Sequence, residues 1–256
     1  MSTEPKSIFA TLGTGFFLVL MFPLAWKIPA GYNLIAVFGA FVAILLVLGV
    51  SIVRTPLGVF VTELNVMSLS RVQLGAWTAV VLSSYFTFVI TRARLGIPDP
   101  LQVSFDWHLW ALMGISTSSL VGSSLVTSIK KEKEPTSGAV ERAESTIQDA
   151  AGVVKANMQG TLYANSRKSD ARFTDLFQGD ELVNTTHIDL AKVQMFFFTA
   201  VSLATYGFMV AKELRHPSDP SFSHLPGLPE GLIAVLGISH AGYLGNKSIT
   251  HTPVQP

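Results

Sequence analysis

The sequence predicts an all-α polytopic membrane protein with six transmembrane helices, two parallel two-helix repeats and a small cytoplasmic insert. Three observations lead to this fold class. Charged residues make up only 14% of the chain, against about 25% in a typical soluble domain, and the mean hydropathy is positive. The apolar residues are collected into long blocks. Finally, the last two apolar stretches repeat the pattern of the two stretches before them.

Six apolar stretches are long enough to cross a bilayer, since a helix needs about 20 residues to cover a hydrocarbon core of roughly 30 Å. The predicted spans are residues 8–26, 34–53, 72–91, 108–128, 193–211 and 228–244. The first is longer than the apolar core of a signal peptide, so we interpret it as a retained span. The second carries no charged residue, while the sixth is short and contains His240.

The region after the first two spans consists of two related halves. Residues 69–73 and 190–194 open two apolar stretches with the same residue classes in the same order. Residues 111–116 and 234–239 share a second pattern, which ends in Gly-Ile-Ser. Each half holds two spans and so returns the chain to its starting side. We therefore expect parallel copies, related by a pseudo-two-fold axis along the membrane normal.

This pattern divides the chain into five segments. They are a two-span hairpin (1–58), the first two-span repeat (59–128), a cytoplasmic insert (129–175), the second two-span repeat (176–248) and a C-terminal tail (249–256). An even number of spans places both termini on one side, and the excess of Lys and Arg there favours the cytoplasm. The chain has no cysteine, which fits an intracellular or inner-membrane setting. We expect a bacterial inner membrane.

The insert follows a charged exit from the fourth span at residues 130–135. Residues 139–155 carry apolar side chains at helical spacing and predict a helix, while residues 160–164 predict a short strand. A module of this size buries little core alone. We therefore expect it to lean on the membrane face or on a partner.

Two sets of positions are predicted to pack helices together. The first is a stripe spaced four and three residues apart, a spacing that one helix face brings together. Its members are Thr78, Leu82 and Tyr85 in the first repeat and Thr199, Leu203 and Tyr206 in the second. We expect the stripe to face other helices rather than lipid, in ordinary bundle packing rather than ligand contact.

The second set consists of small residues four apart, which let helix backbones approach closely in lipid. This small-residue ladder comprises Gly114, Ser118 and Gly122 with Gly237, Ala241 and Gly245. We expect the two helices that carry it either to meet each other or to pair with another subunit.

Five polar residues in or beside the spans are candidates for function. They are Gln73, Gln194, Ser116, Ser239 and His240. The two glutamines would hydrogen-bond across the pseudo-two-fold axis, bind a lipid head group or cap the interface, the last being the default. Hydroxyls in a span usually bond to backbone, but those of the fourth span would also suit a water-filled path. An ionisable side chain at membrane depth, such as that of His240, is a functional candidate.

The chain carries no phosphate-binding glycine loop, nucleophile elbow or paired carboxylates, so we do not expect an enzyme. A net charge of +1 gives no sign of a nucleic-acid partner, and we expect no metal or cofactor. We expect a scaffold or anchor in the lipid bilayer, which forms a homo-oligomer or membrane complex and contacts a cytoplasmic protein through its insert. The alternative is an ion channel or solute-conducting subunit built from pseudo-symmetric two-helix units.

Overall fold

The structure is a computed structural model that describes residues 5–147, 154 and 157–255. The described residues form seven α-helices and no β-strand, which confirms the all-helical class. The helices are α1 Pro5–Lys27, α2 Tyr32–Val53, α3 Leu69–Arg94, α4 Trp107–Lys131, α5 Ser137–Thr146, α6 Leu190–Arg215 and α7 Glu230–Ser248. Short 3-10 turns at Gly58–Phe60, Lys168–Asp170 and Phe173–Phe177 lie in the connections.

Five of these helices, α1, α2, α3, α4 and α6, are long and apolar enough to cross a membrane. Several apolar helices of this length are typical of an α-helical membrane protein. The predicted sixth span corresponds to α7, which has 19 residues but is not among the five. Its polar residues include Glu230, His240, Asn246 and Lys247. The sixth span therefore stays a prediction.

The contacts divide the described residues into two compact units, each assembled from three segments. The first unit comprises Met1–Val59, Leu74–Gly114 and Thr199–Ala234, and the second comprises Phe60–Gln73, Ile115–Phe198 and Val235–Pro256. Helices α3, α4, α6 and α7 each contribute to both units. The five sequence segments predicted above are not tested by this division.

In the first unit, α1 and α2 form a hairpin that packs against α3. Its core contains Ala25, Val37 and Ile90, all less than 10% exposed. Asn33 holds the hairpin turn, because its Oδ1 accepts hydrogen bonds from the amides of Gly31 (3.0 Å) and Leu34 (2.9 Å). Gly31 has a φ of 83°, which a residue with a side chain rarely adopts.

In the second unit, α3 and α6 begin in the same way. The amide of Ser68 donates to the Phe60 carbonyl (2.9 Å), and the amide of Asp189 donates to the Phe177 carbonyl (2.7 Å). An isolated antiparallel bridge closes each turn, at 61↔67 and at 178↔188. The Ser68 and Asp189 carbonyls then accept the first hydrogen bonds of the two helices. The donors are the amides of Val72 (3.1 Å) and Val193 (3.0 Å).

In the structure the segment between α4 and α6 runs from residue 132 to residue 189, further than the predicted insert of 129–175, and this whole segment is called the insert from here on. It differs from its prediction in two places. Helix α5 ends at Thr146, with Ile147 in an extended conformation, and most of the predicted remainder up to residue 155 lies outside the described residues. Residues 160–164 form no strand. Gly160, with a φ of 61°, turns the chain so that Gln159 and Leu162 bond to each other.

The support for the insert comes from the chain itself. Leu176 of the insert is fully buried in a cluster with Met195 of α6 and Tyr243 of α7. The C-terminal tail also adds to the insert, because the Thr136 amide donates to the Pro253 carbonyl (3.0 Å). The insert is therefore attached to the helix ends and the tail together.

Candidate functional site

The stripe of Thr78, Leu82 and Tyr85 does not form a buried face. Leu82 is 42% exposed, and the other two residues are half-buried. The buried positions of α3 include Trp77 and Ser84, both 0% exposed. Leu82 is therefore the exposed member of this stripe, and the expectation that the stripe faces other helices stays a prediction.

The corresponding stripe of α6 is better buried. Thr199 is 4% and Tyr206 0% exposed, and Leu203 is half-buried. Tyr206 packs edge-on against Trp77, with ring centroids 6.2 Å apart. Within the apolar part of each helix, 56% of the positions of α3 are buried, against 28% in α6. A helix with neighbours on several sides has buried positions outside any single stripe, and Ile90 adds one such side against the hairpin of α1 and α2.

The small-residue ladder is divided between an internal contact and exposed positions. A methyl group added at Gly122 would lie 3.0 Å from Leu244 Cδ1, and one at Gly237 would lie 3.8 Å from Ile115 Cδ1. Helices α4 and α7 therefore meet closely at these two glycines. The remaining ladder positions, Gly114, Ser118, Ala241 and Gly245, are exposed.

A hydroxyl cluster joins three helices in the second unit. It consists of Ser70 of α3, Ser123 of α4 and Tyr243 of α7, each at most 5% exposed. The Tyr243 hydroxyl lies 3.1 Å from Ser123 Oγ and accepts a long hydrogen bond from Ser70 Oγ (3.5 Å). Tyr243 is not among the candidates from the sequence, although it lies one helical turn beyond His240, which is one of them.

Three further polar residues share a helix face with a member of the hydroxyl cluster, because they lie three or four positions from it in the sequence. They are Gln73 (near Ser70), Ser119 (near Ser123) and His240 (near Tyr243). Gln73 is 2% exposed and donates from Nε2 to the Met195 carbonyl (3.3 Å). Its predicted counterpart Gln194 is exposed. The structure thus places the first glutamine inside the bundle and the second on its surface.

Four buried polar side chains on α4 and α7 have an atom with no hydrogen-bond partner among the described residues. The atoms are Ser116 Oγ, Ser119 Oγ, Ser239 Oγ and His240 Nδ1, on residues that are at most 4% exposed. Leaving such a group unpaired costs about 1–3 kcal/mol. Unpaired buried groups therefore call for a specific reason, such as bound water or an ion.

Five charged residues form an ionic cluster where the insert meets the helix ends. They are Asp180 and Glu181 of the insert with Lys130 of α4, Lys192 of α6 and Lys247 of α7. Asp180 is shared, since its two oxygens lie 2.6 Å from Lys192 Nζ and 2.5 Å from Lys247 Nζ. Burial alone would raise the pKa of Asp180, but the two ammonium groups outweigh it and hold that pKa well below its usual range.

Glu181 connects the insert to the C-terminal tail. It is 1% exposed and lies 2.5 Å from Lys130 Nζ. Its carboxylate also accepts hydrogen bonds from the amides of His251 (3.0 Å) and Thr252 (2.7 Å). Burial would raise the pKa of Glu181, but the Lys130 hydrogen bond and the two amides lower it overall. The partners are 51 to 71 positions apart, so no local sequence signal indicates them.

A cleft of about 430 Å³, here named the insert cleft, opens on the surface of the insert. Tyr163, Asn165 and Thr174 are among the mostly polar side chains that line it. Asp175 holds one wall in place, because its Oδ2 accepts hydrogen bonds from the Arg172 amide (2.9 Å) and the Met67 amide (3.1 Å). The volume lies within the range of about 300–1,000 Å³ that is typical of binding pockets.

Comparison of the chain with known protein families, curated proteins and solved structures found no match. The fold and the site therefore define a class only, that of helical proteins with several membrane-length apolar helices.

Proposed function

We propose that this protein is an integral membrane scaffold or anchor, which self-associates in the bilayer and contacts a cytoplasmic protein through its insert. The observation that carries the proposal is the attachment of the insert to three helix ends by the ionic cluster. The proposal assigns no catalytic activity, metal or cofactor to the chain.

The ionic cluster suits a rigid platform. Lys130 and Glu181 are both nearly inaccessible, and a buried ion pair fixes one geometry because a misplaced partner leaves an unpaired charge. A partner that binds a surface already held in place loses less conformational entropy than one that must order it. The insert cleft is the concave surface on this platform, and we assign the partner to it.

The exposed ladder positions support self-association. Gly114 and Ser118 lie four residues apart on α4, and Ala241 and Gly245 lie four apart on α7. Among the described residues, and apart from its chain neighbours and the nearby backbone of its own helix, no atom lies within 4 Å of a methyl group added at Gly114 or Gly245. Small exposed residues at this spacing let a second copy approach closely in lipid.

Six spans with both termini in the cytoplasm belong to the proposal. Before α4 and α7, Ser104 exchanges hydrogen bonds with Ser223 (2.7 Å) and Leu225 (3.0 Å). After α4 and α7, Thr136 bonds to Pro253 (3.0 Å). If α4 crosses the membrane, α7 joins the same two sides and also crosses it. The matching starts of α3 and α6 support the two parallel repeats.

Purification of the intact chain in mild detergent, followed by mass spectrometry of bound proteins, tests the partner surface. Thr174 is exposed and lines the insert cleft, so Thr174→Arg adds bulk and charge there. Ser145 is exposed on α5 and does not line the cleft, so Ser145→Arg is the matched control. We expect a cytoplasmic protein to accompany wild type and the control, and to fall at least tenfold with Thr174→Arg. Equal recovery with both variants, or no partner with any of them, would contradict the anchor function.

A second function, a conducting subunit, is favoured by the four unpaired buried polar groups, because a hydrated path would satisfy them. Conductance of the reconstituted protein in planar bilayers tests it. Ser119→Leu should reduce ion flux if this path exists, whereas Ser124→Leu should not, since Ser124 is exposed and bonds to its own helix at Leu120. Absence of any flux from the intact oligomer would exclude this function.

A further inference from the structure

A second cavity in the second unit lies at the ends of α3, α4, α6 and α7. Its volume is about 80 Å³, several times the roughly 10–15 Å³ that admits one water molecule. We name it the basic cavity after its charged lining, which consists of Arg71, Lys131, Lys192 and Lys247 with Glu63 and Asp180. Hydroxyl groups of α4, among them those of Ser124 and Thr127, also line it.

The lining carries more positive than negative charge, with four cationic groups against two carboxylates. Lys131 pairs with Glu63 (2.7 Å), whereas Lys192 and Lys247 share the single carboxylate of Asp180. Lys192, Lys247 and Asp180 together therefore carry a net charge of one positive unit. Arg71 adds a second positive charge to the lining.

Among the described residues Arg71 has no carboxylate within 4.0 Å, although, in addition to the hydrogen bond from Lys131, its charge helps to lower the pKa of Glu63. Its guanidinium makes one hydrogen bond within this part of the chain, from Nη1 to the Val61 carbonyl (2.9 Å). A guanidinium carries five N–H donors, so most of those of Arg71 remain available at the cavity. This planar fork matches the oxygens of a phosphate group.

The position of two of these cations is unfavourable without a ligand. Arg71 and Lys192 are the third residues of α3 and α6, where the positive end of the helix dipole disfavours a cation. Local rules of this kind are broken chiefly at functional sites. The helices α3, α4 and α6 are candidate spans, so their ends lie where the phosphates of lipid head groups are found.

We propose that the basic cavity binds a phosphate group, with Arg71 as its principal ligand and Lys131, Lys192 and Lys247 supplying the remaining positive charge. The group belongs either to an anionic lipid head group or to a free phosphate ion. Both present the same oxygens to the cavity.

Two measurements on the full-length protein separate these sources. Inorganic phosphate is titrated into the protein in neutral detergent by calorimetry. The protein is also reconstituted in phosphatidylcholine nanodiscs with and without phosphatidic acid, and retained lipid is read by native mass spectrometry. We expect Arg71→Gln to weaken binding about tenfold or more, Arg71→Lys to weaken it less, and Arg142→Gln, an exposed change on α5, to leave it unchanged.

Saturable phosphate binding that Arg71→Gln weakens identifies a free ion, and retention of phosphatidic acid alone identifies a lipid head group. The proposal is overturned if neither probe binds, or if Arg71→Gln binds like wild type. Should Arg71→Gln fail to fold, Lys131→Gln gives the same test, since its partner Glu63 is 78% exposed. Thr174→Arg, which lies outside the basic cavity, should leave phosphate binding intact, so this test is independent of the proposed partner.

Discussion

At the scale of single residues, Asp180 is the side chain on which the attachment of the insert depends most directly. Asp180→Asn leaves Lys192 and Lys247 facing each other without a carboxylate. Breaking a buried ion pair in this way costs about 3–5 kcal/mol, and we expect the Tm, followed by tryptophan fluorescence, to fall by roughly 6 °C or more. Asp170→Asn is the control, because its partner Arg167 is 79% exposed and such pairs contribute at most about 1 kcal/mol. Equal Tm values for the two variants would show that the ionic cluster does not hold the insert.

The same residues make the attachment sensitive to acid. The pKa values of Asp180 and Glu181 are lowered in the folded state, so their stabilisation is complete above the unfolded values of about 4 and is lost as the pH falls below them. We expect the Tm to change little from pH 7 to 5 and to decrease steeply between about pH 4 and 2. The decrease should be smaller in Asp180→Asn, and an identical slope in that variant would assign the acid sensitivity to other groups.

At the scale of helices, the two kinds of ladder glycine should respond differently to Leu. Gly122→Leu crowds Leu244 inside the chain, so we expect a loss of about 1–3 kcal/mol of stability and a lower Tm. Gly114→Leu meets open space and should keep the Tm but reduce the oligomer mass measured by size-exclusion chromatography with light scattering. An unchanged oligomer would show that copies do not associate through this face of α4.

Helix positions were predictable from the sequence because a membrane span is a long local pattern. The predicted spans 72–91 and 193–211 fall inside α3 and α6, which extend further because Ser68 and Asp189 cap them in the connecting segments. The buried face of α3 was not predictable. Burial at Trp77 and exposure at Leu82 depend on which neighbours surround the helix, and a spacing pattern contains no such information.

At the scale of the whole molecule, the chain offers a direct test of its topology because it has no cysteine. We expect Ser145→Cys in the insert and Gln255→Cys in the tail to resist a membrane-impermeant thiol reagent applied to intact cells. Ser218→Cys, in the exposed loop between α6 and α7, should react. Reaction of Gln255→Cys together with Ser218→Cys would mean that α7 does not cross the membrane.

The candidate site was predictable in part. His240 was a candidate because an ionisable residue is costly inside a span, Gln73 because it lies at a span entry, and Ser116 and Ser239 as span hydroxyls. All four are buried. The ionic cluster was not foreseen, because Lys130 and Glu181 meet only after three helix ends have converged. Long-range pairs of this kind follow from the fold and not from local sequence.

The binding of the tail by Glu181 has a consequence for biosynthesis. Glu181 needs the amides of His251 and Thr252, and Lys130 needs the carbonyl of Ile249. These residues are translated after α7, so until the last helix has been made Glu181 has Lys130 as a partner but lacks the two amides of the tail. The packing of the insert is therefore completed only after the tail has been synthesised, and a chain interrupted before residue 249 would lack these contacts.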